Sequence, residues 1–255
     1  MRFIETTDEG SGVLLVRMLP ASGPVPAQLE IHEEITDVLE HIRDSRDVRA
    51  AVITGTDDLF YAGPVLESLA STAAQDAAGV TRIIDDARRI VRALVDNDKP
   101  IVAAVNGPAI GLGCQLAFFS DFCFAVATAT FQDTHVRVGL PAGDGGTLIY
   151  PLLFGLARAK RYLMTGERMS AQYAEQCGAV EAIVERERLL EVAIGRARRL
   201  VGANYEAVRA TKAALNRMMH GGPFEAFELA VHAEHAAMLD TRTHAIMQGI
   251  VDRAR

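Results

Sequence analysis

The chain has no tryptophan, only three cysteines, and no apolar run of transmembrane length. Each shortage narrows the field. Cys114, Cys123 and Cys177 give no disulfide framework, so a reducing cytoplasm is the expected setting. A bilayer-spanning helix needs about 20 consecutive apolar residues, and no stretch supplies them. The opening MRFIETTDEG has neither the basic nor the apolar region of a secretory signal. Lysine and arginine number 26 against 33 acidic residues, a net charge of −7, and no basic run concentrates them. That disfavours nucleic acid and anionic membranes as main partners, and leaves a small-molecule substrate as the expectation. There is no low-complexity segment and no short internal repeat.

What is present is apolar patterning. With 255 residues, 49% of them hydrophobic, the chain can bury a substantial core. Phe3–Thr6 and Gly12–Arg17 read as a β-hairpin, and 21–26 as a Gly/Pro loop. Ile31, Ile35, Val38, Leu39 and Ile42 mark an amphipathic helix with His32 beside its stripe. Ala50–Thr54 and Ile101–Val105 are short, wholly apolar strands of the kind buried in parallel sheets. Between them lie a loop over 56–63, a small polar stretch over 71–79 expected to be a mobile surface segment, and a second helical stripe from Val80 to Leu94. After Pro151 helices dominate: 156–165, one capped by Ser170, then 186–201, 205–219, 224–239 and 240–254, with a short strand over 180–184. Strands alternating with helices argue an α/β fold.

The stretch from Lys99 to Pro151 carries the chemistry. A buried strand leads into a loop with Gly107, Gly111 and Gly113, then a short apolar helix over 113–120 and a strand near 122–126. A polar turn with Asp133 and His135 follows, and then a Gly-rich helix start at 143–147. Glycine loops at helix N-termini let the backbone and its free N–H groups approach a ligand.

These residues resemble the crotonase (enoyl-CoA hydratase/isomerase) superfamily. The matching segments are AAVNGPAIGLGCQLAFFSD, ATFQDTHVRVGLPAGDGGT and RAKRYLMTGERMSAQYAEQCGAV, with VITGTDDLFYAG upstream. The resemblance implies the crotonase (ClpP-like) fold, a spiral of β–β–α turns over 1–200. It also implies a C-terminal helical trimerisation region over 201–255, in a homotrimer or dimer of trimers. It implies two backbone N–H donors that stabilise an enolate. One matches Leu112, beside Gly111. The other matches the residue after Gly63, which here is Pro64 and has no N–H.

The two glutamates expected of a hydratase match Gln115 and His135. Paired-carboxylate chemistry is therefore absent at those positions. The same stretch is similar to crotonase-fold β-diketone hydrolases of the 6-oxocamphor type. That resemblance assigns His135 and Asp144 as a water-activating pair, with His32 and Glu234 as further active-site residues. Leu112 replaces a histidine found there, so 6-oxocamphor itself is not the expected substrate.

The favoured expectation is hydrolytic C–C cleavage of a β-diketone, a retro-Claisen reaction in which His135, held by Asp144, takes a proton from water. The first alternative is an enoyl-CoA hydratase or isomerase with unusual acid–base residues. The second is a catalytically silent scaffold subunit. No cofactor or metal is required, though a CoA thioester can form part of the substrate. Tyr61 either lines the pocket or packs. Arg158, Lys160 and Arg161 either meet CoA phosphates or face solvent. His232 and His235, at i and i+3, lack a third ligand for metal, and Cys114 is expected to be a buried, inert thiol.

Overall fold

The computed structural model describes residues 1–20, 25–63, 66–202 and 204–254, with side chains of the first helix from Glu30 onward. β1 (Ile4–Asp8) and β2 (Val13–Met18) pair antiparallel. α1 (Val25–Asp44), β3 (Ala50–Thr54), α2 (Leu66–Gln75), α3 (Ala77–Val95) and β4 (Ile101–Val105) follow. Next come β5 (Ala109–Ile110), α4 (Leu112–Phe118), β6 (Phe122–Ala125), β7 (Thr130–Gln132) and a 3-10 turn over His135–Val138. α5 (Gly146–Phe154), α6 (Leu156–Thr165), β8 (Met169–Ser170), α7 (Ala171–Gln176) and β9 (Ala182–Ile183) complete the sheets. α8 (Leu189–Leu200), α9 (Tyr205–Asn216), α10 (Gly222–Met238) and α11 (Thr241–Ala254) close the chain.

The main sheet runs β1-β2-β3-β4-β6-β9 and is parallel from β2 onward. Its register aligns Leu15, Val52, Val102 and Phe122 across four strands. Every residue of β3 and β4 is buried, because helices cover both faces. α8 packs on β3 and β4. On the other side Ile35, Val38 and Leu39 of α1 meet Val16, Ile53 and Leu116. The helical stripes read from the sequence are thus the buried faces of α1 and α3. A second sheet, β5-β7-β8, stands apart and leads straight into the turn that carries His135. This α/β architecture is the crotonase fold.

Two expectations are modified. The stretch over 71–79 does reach the surface, with residues 74–78 exposed, but it is helical: it is the end of α2 and the start of α3. α2 packs on α1, α3 and α11 and buries Ser68, Ala70, Thr72 and Ala73, the last two from this stretch. Asp76 breaks the two helices apart and caps the second, its Oδ1 accepting from the Gly79 N–H at 2.8 Å. The loop expected over 21–26 is already helix from Val25, with Pro26 in the first turn, where its missing N–H costs nothing. Residues 21–24 lie outside the described residues. Elsewhere element edges move by a few residues; the helix expected over 186–201 opens with a 3-10 turn over Arg186–Arg188.

The C-terminal helices fold back on the core. α10 rests on α3 and α5, and α11 on α2 and the His135 turn. α9 is pinned by Lys212, whose Nζ donates to the Lys99 carbonyl and to Asp121 Oδ2, both at 2.7 Å. None of the described helices is long and apolar enough to cross a membrane.

Candidate active site

Four elements distant in sequence meet around one imidazole. β7 delivers Asp133, and the 3-10 turn begins two residues later at His135. Asp133 Oδ1 accepts from the His135 backbone N–H at 3.2 Å and lies 2.8 Å from its Nδ1. On the opposite side of the ring, Nε2 is 3.2 Å from Asp144 Oδ2, in the loop before α5. The same Nε2 is 3.6 Å from Glu234 Oε1, which α10 brings in. Gly143 makes that approach feasible, since a Cβ there would stand 1.9 Å from Glu234 Oε2. His32, on α1, is buried, and neither of its ring nitrogens has a partner.

The glycine loop abuts this cluster. Gly111, at φ 54°, precedes α4, and a Cβ on it would stand 3.8 Å from His135 Cε1. Leu112 is the first residue of α4, so its N–H belongs to the first turn, which has no intrahelical acceptor. Gly63 sits at φ 73° in the turn after β3, while Pro64 lies outside the described residues. Tyr61, in the same loop, is buried with its hydroxyl unpartnered.

Electrostatics ties the members together. Burial alone would lower the pKa of His135, but Asp133, Asp144 and Glu234 outweigh it and raise it well above 6.5. Burial works to raise Asp144, yet His135 holds it below the usual carboxylate range. Burial first, then Asp144, pushes Glu234 up from 4.5 to about 8, so its neutral form persists at neutral pH. Burial lowers His32, with Asp144 pulling the other way. Tyr61 is raised by burial and then by Asp144.

The structure therefore gathers His135, Asp144, Glu234 and His32, as the sequence reading expected. It differs in one role. The sequence reading made Asp144 the residue that orients the imidazole; in the structure Asp133 holds Nδ1 and Asp144 faces Nε2. Gln115, grouped by the resemblance with the substrate-binding positions, is wholly buried, and its Nε2 donates to Asp133 Oδ2 at 3.1 Å. Asp133 is the residue that sequence reasoning missed, although an acid two positions before a turn histidine was the available signal.

Other candidates disperse. His232 Nδ1 faces the Glu228 carbonyl at 2.7 Å and His235 Nε2 faces Thr81 Oγ1 at 3.2 Å. Cys114 is buried, donates to the Ala109 carbonyl, and has its pKa pushed up to about 12, mainly by burial. Arg161 pairs with Glu167 on the surface, and Arg158 donates to the Phe154 carbonyl. Among the described residues one group has the spacing of a cation site: a ligand atom each from His135, Asp144 and Glu234, all within 4.8 Å of one another.

Three comparisons with known proteins bear on this geometry. The family model described as Enoyl-CoA hydratase/isomerase matches residues 25–247. A crotonyl-CoA hydratase of Syntrophomonas wolfei is 35% identical over 187 residues, 73% of this chain and 71% of that protein. A carnitinyl-CoA dehydratase of Citrobacter koseri is 35% identical over 187 residues, 70% of this chain and 67% of its own. Among solved structures, an enoyl-CoA hydratase/isomerase from Mycobacterium paratuberculosis superimposes with a TM-score of 0.88 at 31% identity, covering 97% of this chain and 98% of that one. A β-diketone hydrolase from the cyanobacterium Anabaena, bound to (S)-3-oxocyclohexyl acetic acid, gives 0.84 at 27% identity, covering 94% and 95%.

Proposed function

The chain belongs to the enoyl-CoA hydratase/isomerase family of the crotonase superfamily, and from that premise we propose that it hydrolyses a C–C bond of a β-diketone with water activated at His135. The observation that carries this reading is the buried cluster of His135, Asp144 and Glu234 facing an unpartnered His32. The two-glutamate arrangement of a hydratase is missing: Gln115 is tied to Asp133.

The cluster titrates as one unit. It loses a proton to become a base, and Glu234, at about 8, sets that loss slightly above neutral pH. The ionised cluster then takes a proton from water across His135 Nε2 and its carboxylate neighbours. The resulting hydroxide adds to one carbonyl of the diketone. The bond between that carbon and the central carbon breaks, and its electron pair leaves as the enolate of the second carbonyl. His32 and the Leu112 N–H are the donors available to hold the negative oxygen. The cluster returns its proton to the enolate carbon. One water is consumed and one keto acid forms.

A silent scaffold is the weakest reading. Burying His32, Tyr61 Oη and Glu234 Oε2 without partners would destabilise a merely structural interior by roughly 1–3 kcal/mol each. Those atoms are what an incoming ligand or water would satisfy.

The second reading is hydration or dehydration of an acyl-CoA, with His135 and its carboxylates in place of the usual pair. The names of the curated relatives support this better than they support diketone cleavage; the geometry around His135 supports the reverse. In either case the substrate is a small molecule, with or without a CoA thioester. No metal is required, and the active protein is a homotrimer or a dimer of trimers in the cytoplasm.

Turnover of cyclic 1,3-diketones and of enoyl-CoA thioesters, followed side by side by mass spectrometry, separates the readings. A gain of one water with ring opening is expected, and His135→Ala is expected to reduce it by a factor on the order of 10²–10⁴. Hydration of an enoyl-CoA with inert diketones would establish the second reading instead. An unchanged rate in His135→Ala would remove His135 from both.

A further inference from the structure

We infer that Asp133 is the positioning residue of this site, fixing both the tautomer and the charge of His135, and that Gln115 is present because Asp133 needs it. The inference rests on His135 as the centre of the acid–base cluster, and it concerns residues to which the proposed reaction gives no role.

The geometry is closed on all sides. The Asp133 side chain is fully shielded from solvent. Its Oδ1 faces both the His135 backbone N–H, at 3.2 Å, and Nδ1, at 2.8 Å. Its Oδ2 accepts from Gln115 Nε2 at 3.1 Å. Two of these partners, the backbone N–H and the Gln115 amide, can only donate, and they leave both Asp133 oxygens acting as acceptors. The same acceptor, Oδ1, faces Nδ1, and this arrangement favours the tautomer that keeps the His135 proton at Nδ1. A Cβ on Gly146 would stand 2.9 Å from Asp133 Oδ2 and 3.3 Å from Gln115 Nε2, so the backbone of α5 presses the pair into place.

Two consequences follow. With Nδ1 committed, only Nε2 can exchange protons, and it points at Asp144 and Glu234. A second carboxylate at the far nitrogen also favours the imidazolium, in line with the upward shift of His135. For Gln115 the lesson is structural. The amide gives the buried carboxylate a donor without adding charge. A glutamate at 115 would set two acceptors about 3.1 Å apart, so Gln115→Glu is not a route back to paired-carboxylate chemistry.

Long-range nitrogen–proton NMR on histidine-labelled full-length protein tests this directly, with His135→Asn identifying the resonance. The wild type is expected to show Nδ1 protonated throughout the titration. In Asp133→Asn the amide oxygen can still face Nδ1, but the charge is gone. The His135 midpoint is expected to fall by at least one pH unit. On whichever substrate is turned over, kcat is expected to fall at least tenfold with KM within twofold. Asp133→Asn/Gln115→Glu moves the carboxylate one hydrogen bond farther away and serves if the single variant does not fold; its midpoint is also expected below that of wild type. An Nε2–H tautomer in the wild type, or an unchanged midpoint in a folded variant, would overturn the inference. If neither diketone nor thioester is turned over, the proposed reaction fails, while the midpoint still decides this question.

Discussion

Around His135 the number of protons matters more than any single distance. A neutral imidazole aims a lone pair from one nitrogen, yet here each nitrogen faces a carboxylate, at 2.8 and 3.2 Å. A proton must lie in both gaps, so the resting ring is closer to imidazolium than to a free base. Glu234 is the carboxyl that burial and the Asp144 charge keep neutral. Its folded-state pKa lies above its unfolded value, from 4.5 to about 8. The penalty for ionising it in the fold is thus absent below about 4.5 and complete above about 8, so stability falls as pH rises through that window. Glu234→Gln is expected to remove this slope. At pH 8 the variant should be more stable than wild type by on the order of 2–4 kcal/mol, while at pH 5 the two should be close. Denaturant melts at the two pH values check this, and an equal difference at both would refute it. The same variant is expected to lose most turnover, which opposes stability to function at one residue. Chelation is a separate test of the same three side chains. Dialysis against EDTA is expected to leave turnover unchanged if the cluster carries protons, and to abolish it if it holds a cation.

At the scale of elements, the α2–α3 corner shows how one side chain partitions a helical run. Ala70 and Ala73 face inward, and without Asp76 the run would continue through residues of good helix propensity. Asp76 ends it by capping α3 through the Gly79 N–H. Asp76→Ala is expected to cost about 1 kcal/mol, or about 2–4 °C in Tm, with turnover retained, as read by a thermal melt. A larger loss would mean that the corner bears on α11, which packs against α2 and against the His135 turn. That turn is itself an element-scale device. Gly139 closes it in the left-handed region, and Thr243 and Ile246 of α11 lie against it. The last helix thereby supports the residue at the centre of the site.

At the scale of the whole molecule, apolar side chains remain on the outside. Leu152 on α5 and Leu156 and Met164 on α6 are 48%, 61% and 68% exposed. Leu229 on α10 is 73% exposed. Side chains of this size left in water favour a contact between subunits. Light scattering on the eluted protein is expected to give three or six times the 27.5 kDa of the chain. A monomer mass would leave those residues without cover and exclude the trimer.

Some of this was determined by the sequence alone. Runs such as AAVIT and IVAAV leave no polar face for solvent, so β3 and β4 had to lie inside a covered parallel sheet. The stripes of α1 and α3 set which helix faces are buried, and the absence of long apolar runs removed a membrane helix. The family resemblance marked His135, Asp144, His32 and Glu234, and local spacing alone could not have done so. Tertiary structure decided the rest. The small polar residues over 71–79 do reach the surface, but composition did not show that they form the ends of two helices. Asp133 and Gln115 are 18 residues apart, and only the docking of α4 beside β7 makes them hydrogen-bond partners. Glu234 is nearly one hundred residues from His135, and it reaches the ring because α10 folds back over the loop at Gly143. Hydrophobic period is a local property of the chain and can be read along it. The proton inventory of a buried cluster depends on which charges share one low-dielectric space, and only the fold brings those charges together.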